Sequence, residues 1–94
     1  MEEGDFRINE EKQRFELEID GVVSIIDYTP NKRSWHLPHT YVPKEISGRG
    51  VASKLAKHSF DYMLENNINA VPICPFLVKF VKKHPEYNSI IVDF

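Results

Sequence analysis

Two short stretches of this 94-residue chain carry residue types that could do chemistry, and each stands directly before a predicted helix. The first is Ser47-Gly48-Arg49-Gly50-Val51-Ala52-Ser53. Glycine accepts backbone conformations that a side chain forbids, and it lets a ligand approach the main chain. The first N–H groups of a helix have no intrahelical acceptor and lie at the positive end of its dipole, so they form a site for anions. Ala52 and Ser53 keep the rim of that site open, while Arg49 and Lys54 add positive charge. A glycine step of this kind also serves as an ordinary turn and cap. It lacks the Gly-Lys-Ser/Thr ending of a Walker loop and the third glycine of a dinucleotide fingerprint.

The second stretch is Cys74-Pro75, with proline at the favoured first position of a helix. A thiol at a helix start faces the positive dipole end, which favours the thiolate. The competing reading is a small buried apolar residue. His39 lies on the strand that leads into the glycine loop and has the chemistry to accept a proton from an amine. A hydrogen-bonded structural histidine is the alternative there. His84 is placed to end the second helix, and His36 and His58 are expected at solvent or on the sheet surface. One cysteine and four scattered histidines show none of the paired spacings of zinc ligands, so no metal is expected.

The elements that position these residues follow from hydrophobic period. Phe6-Arg7-Ile8-Asn9 begins an alternation, and Glu10 to Gln13 reads as a turn. Phe15, Leu17 and Ile19 alternate with Glu16, Glu18 and Asp20, which is a half-buried strand. Asp20-Gly21 is a hairpin signal, and Val22 to Thr29 is the strand after it. Ser34 to Val42 reads as a fourth strand, in which Pro38 implies a bulge or an interrupted ladder. The period then becomes helical, with Val51, Ala52, Leu55, Ala56, Ser59, Phe60, Met63 and Leu64 on one stripe and Asn66-Asn67 at its end. Asn69 to Ile73 is a short strand, and a second helix with Phe76, Leu77, Phe80 and Val81 inward stops at His84-Pro85. Ser89 to Val92 is a last short strand. The order ββββαβα predicts an α+β domain over residues 1–94, core about 5–92, with an antiparallel-rich sheet of about five strands flanked by two helices.

Composition narrows the class. No apolar run approaches the roughly 18–20 residues of a membrane span, and Met1 to Asp5 lacks the basic and apolar regions of a signal peptide. A cytoplasmic protein is expected. Residues 1–20 carry eight acids and three bases, whereas residues 32–58 carry six bases against Glu45 alone. A basic segment in an acidic chain suits an anionic partner, or is simply a solvated face. Nucleic acid is disfavoured, because aromatics are not interleaved with the bases of residues 44–58 and the chain is acidic overall.

Taken together, the strand, the glycine loop and the long helix resemble the Gcn5-related N-acetyltransferase (GNAT) family. Its Arg/Gln-x-x-Gly-x-Gly/Ala signature is matched at Gly50 and Ala52, with Ser47 where Arg or Gln is usual. The run His39 to Pro43, the block Val71-Pro72-Ile73-Cys74-Pro75-Phe76 and the block His84-Pro85-Glu86-Tyr87 are similar to the compact, YjdJ-type branch. The resemblance implies acetyl-coenzyme A as co-substrate and an amine, small molecule or protein, as acceptor. It assigns cofactor contacts to Val42, Gly48, Arg49, Gly50, Val51, Ala52, Ser53 and Lys54, and to Pro75, Phe76 and Lys79. Cys74 and His39 are the catalytic candidates. Larger members place a tyrosine acid about two turns into the last helix, where this chain has Phe80 and Val81. A non-catalytic acyl-coenzyme A-binding module is therefore the alternative to an N-acetyltransferase, with a nucleic-acid or protein adaptor third.

Overall fold

The computed structural model describes residues 4–92. Asp5–Asn9 (β1), Arg14–Ile19 (β2), Val22–Pro30 (β3) and Ser34–Tyr41 (β4) form an antiparallel meander. Val51–Glu65 (α1) crosses over to Asn69–Pro72 (β5), which pairs parallel to β4, and Pro75–Lys82 (α2) follows. The five strands lie in sequence order across one sheet.

The turns form where local chemistry asks for them. Asp20 and Gly21 both take positive φ, 54° and 78°, the paired left-handed geometry that matches the twist of a two-residue hairpin. Asn67 takes φ 57° just beyond α1, the left-handed exit that asparagine tolerates.

One face of the sheet carries the core. Phe15, Leu17, Ile26 and Leu37 are fully buried there against Leu55, Phe60 and Met63 of α1. Phe60 stacks on Phe80 of α2 at 5.7 Å, so both helices share that core. The other face carries no helix among the described residues. It is built from charged side chains that pair with one another: Glu16, only 6% exposed, accepts from Arg7 at 2.7 Å, Asn9 at 3.1 Å and Arg14 at 3.2 Å. Burial opposes its ionisation, but the hydrogen bonds from Asn9 and Arg7 and the nearby charges outweigh that. The carboxyl is held below its ordinary range.

One region departs from the sequence expectation. Ser89 to Val92 does not form a strand. Pro85–Ile90 is a 3₁₀ helix, and the chain then makes a single bridge from Ile91 to Ala70. The physical cause is a clasp against the helices. Tyr87 is buried and donates its hydroxyl to Asp61 at 2.6 Å, while His84 stacks on Phe80 at 4.0 Å and donates from Nδ1 to the Phe80 carbonyl. Burial and the Asp61 partner both raise the Tyr87 phenol well above its ordinary value. The His-Pro-Glu-Tyr block thus secures the fold. His58, half-buried, stacks on Phe6 of the sheet at 5.2 Å, tying α1 to β1.

Candidate functional site

β4 and β5 are the one parallel pair of strands among the described residues, so α1 and α2 both begin at the same end of the sheet, beyond the strands' carboxyl ends. In open sheets with parallel strands this is the end where ligands bind. Pairing between the two strands runs from Ser34 with Asn69 to Leu37 with Pro72 and then stops. The Leu37 carbonyl accepts from both Ile73 N–H and Cys74 N–H, each at 3.1 Å, which turns the chain off the sheet into α2. β4 continues alone beyond that point, paired only with β3. The result is a cleft between the free edge of β4 and the start of α2. The two large apolar side chains exposed among the described residues are Tyr41, at the end of β4, and Ile73, just past β5.

At the upper end of the cleft is the glycine loop. After a 3₁₀ turn at Lys44–Ile46, anchored by buried Ile46, Gly48 and Gly50 take φ 81° and 72°. Only glycine holds such angles without strain. Gly50 is the N-cap of α1, no side chain caps the helix, and the N–H groups of Val51, Ala52 and Ser53 have no acceptor within it. They border a groove of about 250 Å³ lined by Val42, Ser47, Gly48, Gly50, Val51, Ala52 and Ser53. A Cβ on either glycine would meet nothing within 4 Å. The space over the backbone is open, and its donors and dipole suit an anionic group such as a pyrophosphate.

The other sequence-derived candidates are placed as follows. Arg49 does not line the groove; its guanidinium reaches Asp20 in the β2–β3 turn at 3.1 Å. Lys54 is half-buried one turn into α1. Cys74 is the N-cap of α2, half-buried, and packs against the core. Pro75 and Phe76 form the first turn of α2, while Lys79 sits in the next turn and does not line this groove. His39 is exposed on the helix-free face and approaches Asp27 Oδ2 with Nδ1 at 3.2 Å. Cys74 lies at the helix side of the sheet, and no contact joins it to His39. Phe80 and Val81 are core residues, so neither offers a proton to the cleft. Among the described residues no group of three or more His, Cys, Asp or Glu is gathered as metal ligands would be. No helix among the described residues is long and apolar enough to cross a membrane.

Sequence reasoning missed Asp27 and Asp20. Both partners come from strand register and turn placement, which local sequence does not display.

A meander, a crossover through a long helix to a parallel strand, and a glycine turn at that helix's start define the fold of the N-acetyltransferases related to GCN5. Residues 14–90 match the family described as GCN5-related N-acetyl-transferase, and the chain belongs to that family. It is similar to protein NATD1 of Danio rerio, 34% identical over 94 residues, covering 92% of this chain and 84% of the relative. Protein NATD1 of Mus musculus is 33% identical over 88 residues, covering 87% and 79%. The solution structure of a GCN5-like protein from Staphylococcus aureus superposes with a TM-score of 0.72 at 22% identity. That match covers 100% of this chain and 93% of the other, a likeness of fold.

Proposed function

We propose that the protein binds acetyl-coenzyme A and moves the acetyl group to a primary amine, in the cytoplasm. The observation that carries this reading is the groove over Gly48 to Ser53, where uncapped helix N–H groups meet open space above two left-handed glycines. The pyrophosphate would sit there. From Val42 down to Leu37 the free edge of β4 spans roughly 16 Å of extended backbone, a track for the pantetheine arm. Its lower end lies at the Leu37 carbonyl, beside the start of α2 and Cys74.

Two chemical routes fit these residues. In direct transfer, an amine that has lost a proton attacks the thioester carbonyl, the C–N bond forms, the C–S bond breaks, and the second amine proton goes to the departing thiolate. In the covalent route, Cys74 Sγ attacks the thioester carbonyl, the bond to the coenzyme A sulfur breaks and that thiolate takes the Cys74 proton. The amine then attacks the acetyl-cysteine, the new C–S bond breaks, and Sγ takes back a proton from the amine. Isothermal calorimetry with acetyl-coenzyme A, followed by thiol release against a panel of primary amines, tests the proposal. Binding with amine-dependent thiol release is expected. Binding without it would leave an acyl-coenzyme A-binding module, and no binding would reject the site.

A further inference from the structure

The β4 strand changes face halfway along. Trp35 stacks on core residue Tyr28 at 4.1 Å and Leu37 is fully buried, so these two side chains point to the helices. Strict alternation would send residue 39 to the same side. It does not. Thr29 pairs with His36 but Asp27 pairs with His39, so three steps on β4 oppose two on β3. That extra residue is a β-bulge at Leu37-Pro38. It moves Thr40 to the core face, opposite Ile26, and turns His39 to the open face, opposite Asp27. A one-residue slip exchanges the two faces of a strand, and bulges often re-aim a side chain beside an active site.

We propose that the bulge and Asp27 together form a positioning device for His39, with Asp27 as a positioning residue for proton transfer; this rests on the acetyl-transfer reading above. Asp27 Oδ2 lies 3.2 Å from Nδ1. A carboxylate there accepts the Nδ1–H, which leaves Nε2 with its lone pair, and the second nitrogen's role is set by the bond the first one makes. Asp27 is itself paired in register with Arg14, so the charge row continues across the sheet as His39, Asp27, Arg14 and Glu16. His39 stands on the part of β4 that has left β5, at the lip of the cleft. An ammonium acceptor arriving over the helix-free face would give one proton to Nε2, which passes it to water. The freed amine would then attack across the strand edge.

The test has one readout that needs no substrate. Long-range proton–nitrogen spectra in mildly alkaline buffer report which His39 nitrogen holds the proton. Wild type is expected to show Nδ1–H, and Asp27→Asn to shift the ring toward Nε2–H. Both side chains are at the surface, 59% and 36% exposed, so the variant keeps its fold, which circular dichroism verifies. With acetyl-coenzyme A and the best primary amine of the panel, kcat is expected to fall roughly tenfold or more in Asp27→Asn, within the range general-base catalysis supplies. Acetyl-coenzyme A affinity should stay unchanged. The same tautomer in both proteins, or an unchanged kcat, overturns the proposal. A wild-type protein that binds no acetyl-coenzyme A removes the parent reading instead. The role in proton transfer falls with it, even where the tautomer shift is seen.

Discussion

Replacing Gly50 by alanine separates strain from ligand exclusion. Gly50 holds φ 72°, and a Cβ there meets no atom within 4 Å, so the loss of stability is conformational alone. Placing an L-residue in the left-handed region costs about 1–2 kcal/mol. For a chain of this size each kcal/mol lowers Tm by roughly 4–8 °C, so Gly50→Ala should melt roughly 4–16 °C lower. Binding should suffer separately, because the methyl enters the open space above the uncapped N–H groups. A lost hydrogen bond to a charged group is worth about 1.5–3 kcal/mol, or roughly a tenfold to hundredfold weaker Kd for coenzyme A. The control is Gly21→Ala, whose φ of 78° imposes the same strain and whose Cβ also points to open space, but which does not line the groove. It should melt lower by a similar amount and bind with unchanged affinity. Thermal melts by circular dichroism and calorimetry with coenzyme A provide both readouts. Equal affinity losses in the two variants, or none in Gly50→Ala, would refute the phosphate site.

Other consequences follow from particular contacts. Asp20→Asn frees Arg49, now held at 3.1 Å beside the glycine loop, and removes a nearby negative charge. Coenzyme A affinity at low salt should rise up to about fivefold, the worth of an exposed pair, and the gain should vanish at high salt. A gain that persists in high salt, or none at all, would take Arg49 out of the account. Under the covalent route Cys74→Ala abolishes both turnover and the acetyl adduct found on the wild-type protein by mass spectrometry, whereas under direct transfer turnover persists and neither protein carries an adduct. Full turnover in that variant would return the half-buried thiol to a packing role. Glu16→Gln should lower stability at neutral pH by about 1–2 kcal/mol, through weakened bonds to Arg7 and Arg14. Because the folded chain holds this carboxyl below its usual range, its contribution is complete above about pH 4.3 and is lost as pH falls through the folded value. Urea midpoints of the two proteins should therefore converge in acid, and a constant difference would count against that account.

Much of the architecture was legible because it is written in local pattern. The alternation of Phe15, Leu17 and Ile19 locates the core face, Asp20-Gly21 fixes the hairpin, and the stripe from Val51 to Met63 gives the long helix. The glycine loop was legible for the same reason, since its function depends on consecutive backbone groups. What the sequence could not display depends on partners far along the chain. Tyr87 reaches Asp61 across 26 residues, and Arg49 reaches Asp20 across 29. Serine to valine at 89–92 has strand propensity, but β5 is too short and the Tyr87 clasp too close for more than one bridge. Phe80 illustrates the reverse case. Its position suggests a catalytic residue by analogy, yet its ring is fully engaged with Phe60, His84 and Tyr87.

Pro38 links these two kinds of information. The sequence shows that a proline interrupts β4, and the structure shows what the interruption does. Pro38 has no N–H to offer either neighbouring strand. Pairing with β5 ends at Leu37, the residue before it, and the Leu37 carbonyl takes two N–H groups from the departing chain instead of one. On the other side, the register with β3 slips by one residue across Leu37-Pro38. One residue therefore stands at the point where the cleft opens and where His39 is turned to face Asp27. A strand with a free N–H at this position would retain both the choice of pairing on with β5 and the choice of strict alternation. The cleft and the outward histidine are thus two results of the same local constraint, read once along each edge of β4.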